Sequence, residues 1–402
     1  MTDIPKGLVA DFKDRQKYLY AIFFLFGFAI MGWVPRFPEV KANMSLTNGE
    51  FGSAISVSAL GGILLLLIGG HIVHRFGTTI VMAVSSLSFL LCLGSIVHVK
   101  SVPIFILLNV LIGATVSGFH ISINAQVLHE QEMSGEVLVP RTSGSWSSGA
   151  LISILLAGYL TTRMSLTLHI GLVVFFSGIG IAYMIFKIRP HELAGTSAKD
   201  NSYSLRTVFK SFEVNWMISI GMLLGVQLEF SAGDWATIYS KENLGFSAGV
   251  ATIPFIIFMC AMILGRLTFH RFLEKYSVDS LIKVAGLVGG GSFIIGILAS
   301  DRLSVNHPTV SFIFVSLAFA IAGLSSSFMG PMFMNIANQQ SKSPGGVVIG
   351  QLGVINSALS WIVKAIIAWT AQWLSLPIAL IIPGAMLMAV MFVRKATVKD
   401  VD

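Results

Sequence analysis

Gly69-Gly70-His71-Ile72-Val73-His74-Arg75-Phe76 returns 196 positions later as Gly265-Arg266-Leu267-Thr268-Phe269-His270-Arg271-Phe272, keeping the opening Gly and the closing His-Arg-Phe. Each copy closes an apolar stretch of about twenty residues, the length that crosses a bilayer core. Twelve such stretches can be placed, at about 18–35, 50–72, 78–98, 102–126, 143–162, 167–187, 213–234, 249–270, 279–299, 309–334, 347–373 and 377–393. The repeat marks the ends of the second and eighth. The chain thus reads as an all-α integral membrane protein with twelve transmembrane helices in two six-helix pseudo-repeats. The expected domains are an N-terminal bundle (1–189), a cytoplasmic linker (190–212) and a C-terminal bundle (213–402). Paired repeats of this kind commonly move a solute by alternating access.

Composition supports this reading, since 54% of residues are hydrophobic and only 11% charged, more apolar surface than a soluble domain can hide. The net charge of +7 is scattered through short loops without interleaved aromatics, so nucleic acid is not an expected partner. Cys92 and Cys260 lie within spans, one in each half. They suggest core residues, with neither a disulfide nor a metal site. If the N-terminus is inside, inward loops and tails collect most Lys and Arg, including Arg75, Arg141, Arg266 and Arg271. The outward loops then hold only Arg36, Lys41, Lys100, Arg163, Lys241 and Arg302. That asymmetry places both termini in the cytoplasm and the chain in the cytoplasmic (inner) membrane. No small-residue cleavage site follows the first span, so it is expected to be retained.

The turn Gly-x-x-x-His-Arg-Phe-Gly after the second span resembles the loop signature of the major facilitator superfamily, usually Gly-x-Leu-x-Asp-Arg-x-Gly-Arg-Arg. The likeness extends to span number, repeat and central linker. Gly32-Trp33-Val34-Pro35-Arg36-Phe37-Pro38, Ile123-Asn124-Ala125-Gln126, Arg141-Thr142-Ser143-Gly144-Ser145-Trp146-Ser147-Ser148-Gly149 and Glu229-Phe230-Ser231-Ala232-Gly233-Asp234-Trp235 are similar to segments of a narrower branch, the YbjJ-type transporters related to fucose permeases. The resemblance implies a monomer whose first, fourth, seventh and tenth spans line a central cavity. It departs at His74, where the superfamily has Asp, and at Thr78-Thr79, which replace a basic pair. His74, Arg75, Arg141 and Arg271 are accordingly gating candidates, with His74 either a protonation-sensitive latch or a solvated loop residue.

A charge inside a span costs about 2.5–3.5 kcal/mol at the helix centre and tends to mark a pathway. Glu229 and Asp234 are the acidic residues of the seventh span and the candidates for proton coupling. Five residues separate them, about 140° round the helix and about 7.5 Å along it, so they cannot act as one carboxyl pair. Lys364 in the eleventh span lies at nearly the depth of Glu229, which suggests an intramembrane Glu229–Lys364 pair; snorkelling toward the interface is the alternative. Lys364, Gln351 and Asn356 of that span, with Trp235, are candidate solute contacts. His120 and Asn124, four apart on the fourth span, would face the cavity implied by the resemblance. Gly330-Pro331 should kink the tenth span, and Gly61-Gly62, Ser145 and Gly149 suit close helix packing.

No Ser-His-Asp or Cys-His set, HExxH or Walker sequence is present, so an enzyme is not expected and no cofactor is called for. The leading expectation is a secondary active transporter for a small polar solute, sugar-like or anionic, with proton-coupled uptake. The alternatives are proton-driven export of a metabolite or drug, and a non-transporting membrane sensor or scaffold.

Overall fold

The computed structural model describes residues 6–136, 138–191, 193, 215–340 and 345–397. Most of the expected linker, 190–212, lies outside them. Every regular element among the described residues is a helix, the main ones being α1 (Lys6–Met31), a 3-10 turn (Val34–Arg36), α2 (Phe37–Asn43), α3 (Asn48–Ser56), α4 (Ser58–Phe76), α5 (Thr78–Ile96), α6 (Val102–Ser134), α7 (Val139–Leu160) and α8 (Leu166–Ile188), then α9 (Trp216–Ile238), α10 (Ile253–Leu273), α11 (Val278–Leu303), α12 (Pro308–Ser326), α13 (Met329–Gln340), α14 (Gly345–Trp373) and α15 (Leu376–Thr397). Eleven membrane-spanning candidates are long and apolar enough among the described residues. The remaining long helix, α7, has 22 residues, about 33 Å, but its first turns carry Arg141, Thr142 and several serines.

Three of the spanning candidates are broken, the first of them between α1 and the 3-10 turn. The tenth is interrupted at Ser327 and Phe328, between α12 and α13, beside the expected Gly330-Pro331. The second is interrupted at Val57, where no proline stands. There the Ser56 hydroxyl donates to the Ser53 carbonyl at 2.8 Å.

The chain forms two compact units. The first comprises Met1–Trp33, Val57–Ala157 and Met164–Phe212, the second Val34–Ser56, Gly158–Arg163 and Glu213–Asp402. The boundaries at Trp33 and Val57 coincide with helix interruptions, so α2 and α3 leave the first unit at natural joints. In the second unit α3 packs on α14 and α2 on α9.

Internally the units repeat each other. In the first, α4 packs on α6, α5 on α6 and on α8, and α1 on α8; in the second, α10 packs on α12, α11 on α12 and on α15, and α9 on α15. These are the same span pairs six spans apart. Each unit uses a glycine at the corresponding crossing. A Cβ on Gly113 would lie 1.7 Å from the Ser58 carbonyl oxygen, and one on Gly323 would lie 2.4 Å from that of Phe258. Only hydrogen fits there. Gly61 and Gly149 do the same against Val110 and Phe24, and Ser145 donates to the Tyr20 carbonyl at 2.7 Å, so the expected packing role of these small residues holds.

Candidate functional site

The charged centre lies in the second unit, on α9. Glu229 and Asp234 each pair with a cation from a different helix. The expected Glu229–Lys364 pair is not what forms. Lys364 Nζ of α14 lies 2.8 Å from Asp234 Oδ2 and 5.3 Å from the Phe230 ring centroid. Glu229 instead receives Arg266 of α10, whose Nη2 lies 3.1 Å from Oε1 and 3.3 Å from Oε2. Equal depth gives only the axial coordinate. The 140° between the two carboxylates turns Glu229 toward α10, and the flexible lysine stem reaches along α14 to Asp234. Arg266, expected in an inward loop, lies seven residues inside the end of α10, about two turns.

Beside these pairs lies a seam of buried amides and hydroxyls. Ser360 Oγ of α14 donates to Gln227 Oε1 of α9 at 2.9 Å. Gln227 is fully buried and its Nε2 has no hydrogen-bond partner; Asn356, one turn before Ser360 and 5% exposed, has an unpartnered Oδ1. An orphan donor and an orphan acceptor on facing helices are costly to keep buried. Trp235 is 1% exposed and packs on α3: a Cβ on Gly52 would lie 2.6 Å from its Cζ2 and 2.5 Å from Ala368 Cβ. At the same end, Lys41 Nζ meets Glu242 Oε2 at 2.6 Å and also donates to Asn48. Gln351 is half-buried.

In the first unit, His120 and Asn124 of α6 have different surroundings. The His120 ring packs edge-on against Phe26 with centroids 5.2 Å apart, and its Nε2 is buried without a partner. Asn124 is exposed and spends an amide hydrogen on its own helix, donating to the His120 carbonyl at 2.8 Å. Gln126 does something the sequence reading missed. Its Oε1 accepts from Thr78 Oγ1 at 2.6 Å and from the Leu193 backbone N–H at 3.0 Å, while Thr78 N–H donates to the Leu193 carbonyl at 3.1 Å. The departure Thr78 and the motif residue Gln126 together tether the chain after α8. Arg75 and Arg271 are exposed near helix ends and His74 is half-buried; Arg141 is exposed and binds Glu136 at 3.0 Å.

The model of the Major Facilitator Superfamily matches residues 19–365. The chain belongs to that superfamily. This superfamily member is 22% identical to an uncharacterised MFS-type transporter of Yersinia pestis, over 94% of each chain. It is 24% identical to the multi-drug resistance efflux pump PmrA of Streptococcus pneumoniae, over 64% of this chain and 67% of that one. Among solved structures, a variant of the nucleoside transporter NupG superposes with a TM-score of 0.74 at 14% identity, covering 96% of this chain and 100% of that one. A D-xylose–proton symporter gives 0.70 at 16% identity over 96% and 97%. The fold is the superfamily's, and the protein is a multi-pass membrane transporter.

Proposed function

We propose that this transporter carries out proton-coupled uptake of a small polar solute across the cytoplasmic membrane, working as a monomer with both termini inside. The observation that carries this reading is the pair of charge couples on α9, Glu229–Arg266 and Asp234–Lys364. A proton on either carboxylate neutralises it and releases its cation, Arg266 or Lys364, which is then free to pair with an anionic or polar group of the solute. The orphan atoms of Gln227 and Asn356 favour a hydroxyl-bearing solute, because one hydroxyl accepts from an amide N–H and donates to an amide oxygen. His120, Asn124, Trp235, Gln351 and Lys364 are the further solute contacts in this reading, and His74, Arg75, Arg141 and Arg271 its gating residues. The nucleoside transporter and xylose–proton symporter superposed above, and the resemblance to the YbjJ-type branch, support a solute of this class. The PmrA relative favours a second reading, proton-driven export.

The test compares metabolites inside and outside cells expressing the intact chain or Glu229→Gln at equal membrane levels, with and without a protonophore. A compound depleted from the medium and enriched inside only with the intact chain, and only without protonophore, is the expected outcome. The opposite shift establishes export. Identical profiles for the two chains remove Glu229 from the mechanism.

A further inference from the structure

In an unbroken helix the Ser327 carbonyl would accept from the N–H of residue 331. That residue is Pro331, which has none. The carbonyl is nevertheless satisfied, because Arg266 Nε donates to it at 3.1 Å while Nη2 of the same guanidinium holds Glu229. Gly265 allows this approach: a Cβ there would lie 2.3 Å from Ser327 Oγ and 3.2 Å from the Leu324 carbonyl oxygen. Ser327 is 1% exposed, so water is a poor substitute donor. The Gly265-Arg266 start of the second repeat signature is thus fitted to the break in the tenth span.

We propose that Arg266 is a positioning residue linking the state of Glu229 to the α12–α13 break, its guanidinium standing in for the backbone donor that Pro331 lacks. Glu229 aims the fork. When Glu229 takes up a proton or turns to a solute, the anion fixing the guanidinium is lost, the bond to Ser327 loosens, and α13 is freed from α12. Of the other charged groups on elements packed against α9, Asp234 pairs with Lys364, Lys41 with Glu242 and Arg36 with Glu39, Lys241 lies twelve residues beyond Glu229 in the turn after α9, and Arg271 is exposed near the end of α10. The helices α12 and α13 carry no charged residue, and Arg394 and Lys395 come only in the last turn of α15. The purpose of the link rests on the proposed coupling role of Glu229; its geometry does not.

Hydrogen exchange read by mass spectrometry on the purified full chain in lipid nanodiscs tests the link without any solute. Glu229→Gln should speed exchange of the amides of residues 329–340 about tenfold, the scale of losing one charge-assisted hydrogen bond. Arg266→Lys should do the same, since one ammonium cannot reproduce the two-pronged contact. Pro331→Ala restores the missing N–H, and on that background neither substitution should alter exchange there. A residue that only fills space would not be rescued in this way. Unchanged exchange in Glu229→Gln, or failure of Pro331→Ala to rescue, overturns the proposal. Metabolite profiles indifferent to Glu229, with the exchange link intact, would instead remove only the coupling role.

Discussion

Asp234 shows what a single charge in a span demands. With Lys364 at 2.8 Å it is neutralised; Lys364→Met would strand it and is expected to cost about 1.5–3 kcal/mol. Adding Asp234→Asn should return much of that loss, so the double substitution would be more stable than the lysine single in thermal unfolding. Gln227 separates stability from function. Ser360→Ala removes its one bonded donor and should destabilise by about 1–3 kcal/mol, whereas the Gln227→Leu, Ser360→Ala double substitution removes both partners and the orphan N–H together and should be close to neutral while abolishing solute accumulation. A Gln227→Leu chain that still accumulates solute would exclude the amide from the site. Glu229, Asp234 and Lys364 were legible in the sequence because each interrupts an apolar run. Their partners were not, since hydropathy gives depth but not azimuth. Arg266 was hidden by lying near a helix end, where a basic residue reads as loop. Gln227 was hidden because a lone amide in a span carries no periodic signal.

At the level of helices, the crossing points decide which changes the fold survives. Gly113→Leu would drive a side chain into the Ser58 carbonyl and is expected to abolish monodisperse, folded protein. Gly70→Leu and Gly291→Leu, where nothing lies within 4 Å of an added Cβ, should leave size-exclusion profiles unchanged. Equal behaviour of all three would refute the close-packing account. Span positions were readable from apolar run length alone, and the tenth-span break from Pro331. The second-span break at Val57 was not, because no proline stands there to mark it in the sequence. The same limit hid the tether at Leu193, which depends on Gln126 and Thr78 meeting 48 residues apart.

For the molecule as a whole, the repeat legible in two eight-residue stretches reappears as matching span pairs in the two units. The order of the chain, however, does not follow the units. Residues 34–56 and 158–163 are encoded with the first half and complete the second unit, where Gly52 seats against Trp235 and Ala368. Chimeras with a relative joined at the linker should therefore be unstable when the halves are simply exchanged, and recover when residues 34–56 and 158–163 travel with the second half; equal yields from both designs would contradict this. The first repeat thus lends the second two segments that the second half does not itself encode. The second half cannot be inherited or replaced by itself, because part of its substance is written in the first.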